Sequence, residues 1–588
     1  MPSRVPAFDE FWPGDRAEAA KGKEERVPGR RAEPMTSRRF LALLWIAAVG
    51  VALILNAANL IYGDLNQDEG WYLYAARLVS EGRIPYRDFA FTQAPVMPFV
   101  YAGAQPLVDR WGLAGGRLFT SLLGLAGALC AAGLALRIVR GKQRATAATM
   151  AFILISVNVY QSYFTTVAKT YSLASLFLVG GFLLLSLGEG RAGGRAAFFS
   201  GVAFALAAGT RMSAGIVLPL VALYLLIVER HRQPLGWLWF GLGGALTGAV
   251  LFGPFLLLAP ENFVFGIAQY HTARQTAESG HSLFYKAGAV SRLVQAYFVA
   301  CSLSIGLLLA RWMGLGEPRE DASEPAGNAH ACRLPPLLWT GVAAITLVHF
   351  SAPFPYEDYQ VMVFPLFAAA LAAAAARRLH SDAAARWALT ATFLISIGAS
   401  FSSPINQDWF VQGRDRIWWR LKDQTPLHKL REAGALVRSL AGKNGQLLTQ
   451  DTYLAVESGL HVPRGLELGP FCYYPDWDTE KARRCRVMNR PLLEDLLRHG
   501  DAQAAAFSGY GLSIQAPEVI PLSPTTAAAL WALVQEHYRL VGEIQNFGQG
   551  ATTLRVMVRK TAERDAGNPA VESLGRPGSG AGVISRFP

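Results

Sequence analysis

Long blocks of apolar residues occupy most of the first 400 positions of this chain. A helix needs about 20 apolar residues to cross the ~30 Å hydrocarbon core of a bilayer. Hydrophobic residues make up 52% of the sequence, charged residues only 17%, and the mean hydropathy is +0.24. The pattern therefore predicts a polytopic α-helical membrane protein with about eleven transmembrane helices. The predicted spans are residues 39–61, 113–139, 145–163, 167–188, 196–211, 213–228, 235–258, 289–311, 334–352, 359–376 and 387–403.

The net charge of +12 fits a membrane topology better than nucleic-acid binding. Basic residues cluster in alternate loops, which is the positive-inside pattern. We therefore predict a cytoplasmic N-terminus and, because the number of spans is odd, a C-terminal region on the outer face; no nucleic-acid partner is expected. The clusters are Arg38 with Arg39, 137–144, Arg191 with Arg195, 229–232, 311–333 and Arg377 with Arg378.

The composition divides the chain into four parts. Residues 1–37 are polar and rich in proline and charge, and they predict a disordered cytoplasmic tail. Residues 38–403 form the predicted transmembrane domain, with a long outer loop at 62–112. The first span resembles an uncleaved signal anchor, so no cleavable signal peptide is expected, and Met35 just before it is an alternative start.

The remaining two parts follow the last span. Short apolar runs such as GQLLTQD, AQAAAFSG, YRLVGEIQN and ATTLRVMVRK alternate with helix-like segments, which predicts an extracytoplasmic α/β domain at 404–560. A Gly-, Pro- and Ser-rich tail at 561–588 is predicted to be disordered. Within the domain, Cys472 and Cys485 form either a disulfide, worth about 3 kcal/mol by chain entropy, or two free thiols.

The acidic pair Asp68-Glu69 follows the first span, in the stretch NQDEGWYLYAARLVSEGRIPYRDF. Asn66 and Glu69 have the spacing of a capping box, so one interpretation is that both acids only stabilise a helix N-terminus. The other is a functional site, because carboxylates near a bilayer are costly unless they face water or a partner. The loop predicts two interfacial helices, from Gln67 to Ser80 and from Pro95 to Val108.

Two cations lie at the ends of apolar spans on the predicted outer face, Lys169 in TTVAKTYSLA and Arg211 in AAGTRMSAG. A half-buried cation there needs an anionic partner, which is either Asp68, Glu69 or a substrate phosphate. The alternative is that both side chains only extend to the interface. No Walker sequence, GxGxxG motif or metal-ligand spacing is present, so no cofactor is expected, and assistance by a divalent cation is neither implied nor excluded.

Two further outer loops carry polar side chains. One spans about 259–286 and contains His271, Arg274, His281 and Lys286, which suit either a phosphate or anionic lipid. The other, SAPFPYEDYQVMVFPLF, brings Tyr356, Glu357, Asp358 and Tyr359 to the same face.

Across roughly residues 39–400 the sequence resembles the polytopic lipid-dependent glycosyltransferases with the GT-C fold, the broad family of protein O-mannosyltransferases and bacterial aminoarabinose transferases. The resemblance rests on DEGWYLYAARLVSEGRIPYRDF, on QAPVMPFVYAGAQPLVDRWGLAGGRLFTSLLG, on GTRMSAG and on YQVMVFPLFAAALA. The DE pair with its helix is the most specific element. The resemblance implies a bacterial plasma membrane protein.

The resemblance also implies roles for individual residues. Asp68 takes the place of the family's proposed base. Glu69 is the second candidate catalytic residue, but adjacent residues on a helix point about 100° apart, so its expected part is to bind the acceptor or to anchor the helix. Arg117, Lys169 and Arg211 are the candidate ligands of the donor phosphate, and they gain importance because Gln93-Ala94-Pro95 lacks the family's basic residue. The candidate substrate-binding side chains are Tyr72 and Tyr359.

The predicted function is transfer of a hexosyl or pentosyl group from a polyprenyl-phosphate-sugar donor to an acceptor hydroxyl on a glycan, lipid or protein, with inversion. The lipid phosphate is already an activated leaving group, so one carboxylate suffices as base. Membrane lipid is the other expected partner. Two alternatives are a flippase for a lipid-linked sugar, which tends to show internal repeats and charges near the bilayer midplane, and an envelope scaffold protein.

Overall fold

The computed structural model describes residues 37–188, 193–270, 279–315, 333–352, 355–401, 424–509, 512 and 522–560. The predicted disordered tails lie outside these residues, apart from Ser37. His271, Arg274 and Cys332 also lie outside them, and the side chain of His281 is not described.

Between residues 37 and 401 the described part of the chain is mostly α-helical. Most of the described residues of each predicted span lie on a helix or a bent helix pair. In chain order the helices between residues 37 and 186 are α1 Ser37–Tyr62, α2 Gln67–Ser80, α3 Val96–Ala102, α4 Gln105–Trp111, α5 Leu113–Ile138, α6 Arg144–Ser156, α7 Val159–Thr166 and α8 Thr170–Ser186. The following ones are α9 Gly193–Thr210, α10 Val217–Ile227, α11 Gly236–Leu258, α12 Pro260–Val264, α13 Ser279–Ala296, α14 Phe298–Trp312, α15 Pro335–Ser351, α16 Phe364–Ala376 and α17 Asp382–Phe401.

The lengths of these helices differ from the prediction. Within the described residues, four helices are long and apolar enough to cross a membrane on their own, α1, α5, α11 and α17. Two bent pairs, α6 with α7 at 69° and α13 with α14 at 91°, bring the number to six if each pair is one span. Thr170–Ser186, Met212–Ile227, Pro335–Ser351 and Phe364–Ala376 are apolar but shorter. The count of eleven therefore stays a prediction, whereas a multi-helical membrane protein is confirmed.

Small side chains let the central helices pack closely. Helix α16 has the sequence FPLFAAALAAAAA and is buried along almost all of its length. It packs against α5, α6 and α15. An alanine side chain loses no rotamer entropy when the helix forms, and its small size leaves room for a neighbouring backbone. A run of alanines therefore suits a helix that is enclosed by others.

The outer loop forms helices at its start and its end, as predicted. Helix α2 has the predicted bounds, and the chain leaves it at Gly82 with φ of 85°. The second predicted helix, Pro95 to Val108, is wrong in detail, because the structure has two short helices, α3 and α4, instead. The break precedes Pro106, which has no N–H to continue the ladder of α3 and occupies the first turn of α4.

The region after residue 423 is the predicted α/β domain. Its helices are α18 Pro426–Ala441, α19 Thr452–Ser458, α20 Thr479–Arg484, α21 Arg490–His499 and α22 Pro524–His537. Its strands are β1 Leu447–Thr449, β2 Ala504–Phe507, β3 Tyr538–Phe547 and β4 Thr552–Arg559. All four predicted apolar runs are strands, while the predicted boundaries 404–560 stay untested because residues 402–423 are not described.

The four strands form one mixed sheet in the order β1-β2-β4-β3. Strands β1 and β2 pair in parallel, with Leu448 opposite Ala505, whereas β4 runs antiparallel to both of its neighbours. Every residue of β1 and β2 is buried. Continuous burial explains why these two strands do not alternate between apolar and polar residues. The one polar residue, Thr449, donates its hydroxyl to the carbonyl oxygen of Ala506 at 2.7 Å. Cys472 and Cys485 are both free thiols, which agrees with the second alternative.

The α/β domain packs directly on α2. A Cβ atom on Gly70 would lie 2.3 Å from the backbone nitrogen of Tyr453, so only glycine permits this approach of α2 to α19. At the other end of α2, Arg77 donates hydrogen bonds to the carbonyl groups of Leu460 and Gly459, at 3.1 and 2.9 Å. The helix that carries the acidic pair is therefore held between the membrane helices and the C-terminal domain.

A buried carboxyl group in this domain makes stability depend on pH. Asp451 accepts hydrogen bonds from Tyr453 and Ser508, yet burial raises its pKa to about 6. A raised pKa means that the folded state binds a proton more tightly than the unfolded state, so this contribution is present below about pH 4 and is lost as the pH rises to about 6. We expect the unfolding temperature of the purified protein to fall over this window, and Asp451→Asn to flatten the fall. An equally steep profile in the variant would contradict this assignment.

Candidate active site

A cavity of about 730 Å³ lies between the start of α2, the segments that precede α8 and α10, and the segment that leads into α16. Charged side chains from distant parts of the chain line it. They are Asp68, Lys169, Arg211, Arg292, Glu357 and Asp358. Aromatic rings from the same elements complete much of the wall, and those of Tyr72, Tyr171, Tyr285, Tyr356 and Tyr359 are among them.

Two carboxylates share one ammonium group at the centre of this wall. The Nζ atom of Lys169 lies 2.9 Å from Oδ2 of Asp68 and 2.7 Å from Oδ2 of Asp358. The Asp68 side chain is the most exposed of the three, at 24%, against 7% for Lys169 and 11% for Asp358. Trp71 donates a hydrogen bond from Nε1 to Oδ1 of Asp68 at 3.2 Å. Asp68 is thus held in one orientation while it keeps access to the cavity.

The structure gives the two members of the acidic pair different surroundings. Glu69 completes the capping box by accepting the Asn66 N–H at 3.0 Å, so the capping interpretation is confirmed for Glu69. The side chain of Asp68 is not part of that box and contacts Lys169 instead. Adjacent residues on a helix point about 100° apart, which lets one helix turn serve both purposes.

Glu69 and Arg117 form a fully buried ion pair. Arg117 donates from Nε and Nη2 to the two carboxylate oxygens, at 2.8 and 2.7 Å, and both side chains have no exposed surface. Arg117 also donates to the carbonyl groups of residues at the end of α1 and just after it, namely Leu60, Gly63 and Asp64. This bidentate arrangement ties the C-terminal end of α1, the start of α2 and the start of α5 together.

Neither member of that buried pair lines the cavity. The geometry therefore favours the anchoring role of Glu69 over a catalytic one, and the predicted role of Arg117 as a ligand of the donor phosphate stays a prediction that this cavity lining does not support. The physical reason is that each satisfies the other's charge in the interior, behind Asp68. Glu69 also accepts the N–H of Ala168 at 3.3 Å, next to Lys169, so it positions the segment that carries the cavity's lysine.

Arg211 differs from Lys169 because it has no carboxylate partner within 4.0 Å among the residues that the structure describes. Its guanidinium group lies over the rings of Tyr359 and Tyr171, with 4.3 and 4.9 Å to the ring centroids. It donates one hydrogen bond, from Nη1 to Oγ1 of Thr170, at 3.2 Å. Stacking on aromatic faces fixes the planar group and leaves several N–H donors for an anion. This placement differs from extension to the bilayer interface.

The two predicted substrate-binding tyrosines both reach the cavity. Tyr72 stacks on Trp71, with 3.7 Å between ring centroids. Burial is the main reason that its pKa lies well above the usual range, so Tyr72 is a neutral hydroxyl donor at physiological pH. Tyr359 supports Arg211 from the side.

Several cavity residues were not selected from the sequence as site residues. The sequence predicts Asp358 only as one polar residue of its loop. In the structure its Oδ1 atom is buried without a hydrogen-bond partner among the described residues. Arg292 forms an ion pair with Glu357. His349 contacts Ser213 at 2.8 Å. The only signal was the cluster of acids and tyrosines in one loop, because the partners lie far apart in the chain.

The C-terminal domain also contributes to the cavity. Phe471 and Gln549 are part of its lining. The Oε1 atom of Gln549 accepts the backbone N–H of Gln67 at 3.2 Å, one residue before Asp68. The domain therefore closes the site beside α2.

No group of three or more His, Cys, Asp or Glu side chains among the residues described here is placed to hold a metal ion.

Fold and cavity together define the class of protein, a polytopic membrane protein with the GT-C-like fold. No protein-family model and no curated protein matches the sequence. The structure of ArnT from Cupriavidus metallidurans bound to undecaprenyl phosphate matches with a TM-score of 0.54 and 14% identity, covering 89% of this chain and 98% of that chain. ArnT from the same organism in the apo state gives 0.56 and 16%, covering 88% and 98%. These two matches confirm the predicted fold class along nearly the whole chain.

An oligosaccharyltransferase structure is a more distant match. The Archaeoglobus fulgidus enzyme, in a complex with Zn and sulfate, gives a TM-score of 0.46 and 10% identity, covering 79% of this chain and 68% of that chain. The fold assignment rests on the two ArnT structures, since their TM-scores are higher and their coverage is nearly complete.

Proposed function

We propose that this protein is a membrane glycosyltransferase that moves a sugar from a polyprenyl-phosphate-sugar donor to an acceptor hydroxyl, with inversion. The observation that carries the proposal is one cavity that both Asp68 and Arg211 face. Asp68 is an accessible carboxylate, and the guanidinium group of Arg211 has no carboxylate within 4.0 Å in the described part of the chain. The fold shared with ArnT supports it, because one ArnT structure holds undecaprenyl phosphate.

Each group has a separate part in the reaction. Asp68 accepts the proton of the acceptor hydroxyl while that oxygen forms a bond to the anomeric carbon. The bond from this carbon to the phosphate oxygen breaks on the opposite face, and the lipid phosphate leaves with the electron pair. Arg211 stabilises the charge that develops on the leaving phosphate. Lys169 holds both Asp68 and Asp358 and so fixes the base in place.

The proposed setting is a bacterial plasma membrane with the N-terminus in the cytoplasm. The asymmetric distribution of basic loops supports this orientation. The cavity and the C-terminal domain then lie on the outer face, where Phe471 and Gln549 border the acceptor's route to Asp68. The proposed transferred group is a hexose or a pentose, and the acceptor is a glycan, a lipid or a protein.

Cells that lack the protein provide the direct test of this function. We expect the loss of one envelope glycan together with accumulation of a polyprenyl-phosphate sugar, and mass spectrometry of both identifies donor and acceptor. Accumulation of the lipid-linked sugar on the inner leaflet alone would favour the flippase alternative. An unchanged glycan profile with a disturbed envelope would favour the scaffold alternative.

Arg211→Gln is expected to weaken binding of polyprenyl phosphate by about ten- to a hundredfold, because the variant loses a charge-assisted hydrogen bond of roughly 1.5–3 kcal/mol. The measurement is equilibrium binding of undecaprenyl phosphate to the purified protein in detergent. Arg110→Gln is the matched control, since Arg110 lies over Trp111 on α4 and does not line the cavity. Equal affinities of both variants and wild type would remove Arg211 from the phosphate site.

A further inference from the structure

A second cleft, of about 610 Å³, lies between the segment that follows α2 and the C-terminal domain. Arg83 and Asp88 come from the outer loop, and the rest of the lining comes from residues 464–500. It shares no lining residue with the active-site cavity. The proposed transfer reaction does not use this cleft.

Four arginines from three separate segments face this cleft, namely Arg83, Arg464, Arg483 and Arg486. The side chains of the first three make no hydrogen bond and no ion pair within the described part of the chain. The fourth donates one hydrogen bond, from Nε of Arg486 to the carbonyl oxygen of Arg87, at 3.1 Å. Like charges repel, so four guanidinium groups that face one cleft and outnumber its acids favour an anionic occupant.

The acidic residues at the cleft, Asp88, Glu467 and Asp495, are fewer than the arginines and offset only part of this charge. Asp88 already accepts two hydrogen bonds from Arg87, both at 2.8 Å. Asp495 is bonded to Nδ1 of His499 at 2.9 Å. Glu467 is buried, and burial raises its pKa to about 7, so it is partly protonated near neutral pH.

Apolar side chains also line the cleft, namely those of Val487, Met488, Leu492 and Leu496. Arg464, Arg483 and Arg486 are exposed and Arg83 is half-buried, so their guanidinium groups are open to a ligand from solvent. Each guanidinium group binds a phosphate through two parallel N–H donors. Four such groups therefore offer more N–H donors than one phosphate requires.

We propose that this basic cleft, lined by Arg83, Arg464, Arg483 and Arg486, binds a ligand that carries at least two phosphate groups. Such a ligand bridges the outer loop and the C-terminal domain, because the arginines come from both. Its source is either a soluble phosphorylated molecule or the headgroup of an anionic lipid. The proposal does not depend on the glycosyltransferase assignment.

The test is calorimetric titration of the purified full-length protein in neutral detergent with inorganic pyrophosphate. We expect the double variant Arg83→Gln, Arg464→Gln to bind it at least tenfold more weakly than wild type, with binding that weakens as salt rises. Arg438→Gln is the matched control, because Arg438 is an exposed arginine of the same domain outside the cleft. Arg211→Gln reports binding at the active-site cavity instead.

Three results would overturn the proposal: no binding by wild type, equal weakening in the Arg438 control, or loss only in Arg211→Gln.

The source of the ligand follows from the same titration in nanodiscs that contain cardiolipin, whose headgroup carries two phosphates. Competition by cardiolipin supports the site and assigns it to lipid headgroups. Undiminished pyrophosphate binding supports the site and assigns it to a soluble ligand. Neither arm measures sugar transfer, so failure here leaves the proposed function intact.

Discussion

Asp68→Asn is expected to lower sugar transfer by about 10²–10⁴-fold, the range typical for loss of a general base. The amide keeps the size of the side chain and an oxygen that accepts the hydrogen bond from Trp71. Lys169 keeps its second partner, Asp358. The variant is therefore expected to fold normally, to reach the membrane at wild-type abundance and to bind donor, while losing the group that takes the acceptor's proton.

The measurement compares envelope glycans and lipid-linked sugars in null cells that express wild type or variant at matched abundance. Asp109→Asn is the control, since Asp109 is an exposed acid of the same outer loop and does not line the cavity. Full rescue by Asp68→Asn would refute the base assignment and would leave Asp68 as a residue that only helps to place Lys169.

Asp358→Asn separates the two carboxylates that share Lys169. Asp358 is less exposed than Asp68, at 11% against 24%, so it is less open to an acceptor. We expect Asp358→Asn to retain more transfer than Asp68→Asn in the same cells. The opposite order would make Asp358 the base.

Glu69→Gln is expected to destabilise the protein by about 3–5 kcal/mol, because it leaves the buried guanidinium group of Arg117 without its counter-charge. The loss includes the support that Glu69 gives to the N–H groups of Asn66 and Ala168. Thermal unfolding of the purified protein in detergent, followed by intrinsic fluorescence, measures the change.

Glu81→Gln is the comparison for this variant. The ion pair of Glu81 with Arg77 is partly exposed, at 32% and 16%, and removal of such a pair costs less than about 1 kcal/mol. Equal unfolding temperatures of the two variants would contradict the anchoring role. A stable Glu69→Gln protein without transfer activity would show that Glu69 acts in catalysis, although its side chain lies behind the cavity wall.

Much of the fold was predictable because local patterns determine it. The bounds of α2 follow from the Asn66 capping box at one end and Gly82 at the other. The four strands follow from short apolar runs between turn residues. The sequence predicts one helix from Pro95 to Val108, whereas the structure has two. A proline is tolerated in the first turn of a helix, so Pro106 by itself does not show whether it ends one helix or begins the next.

The site was predictable only in part. Asp68, Lys169, Arg211, Tyr72 and Tyr359 were selected from the sequence, and the structure brings all of them to one cavity. Asp358 was not selected, since its contact with Lys169 joins residues 189 positions apart. The contributions of Phe471 and Gln549 require the docking of a second domain.

The sequence by itself determined that this chain forms apolar helices followed by an α/β domain, and that a capped helix presents the acidic pair. These properties depend on hydrophobic periodicity and on interactions within a few residues. Only the tertiary structure decided that Glu69 is a buried anchor and Asp68 a cavity residue. Two neighbours on a helix differ by about 100° in direction, and which direction meets Arg117 and which meets Lys169 depends on how distant helices pack.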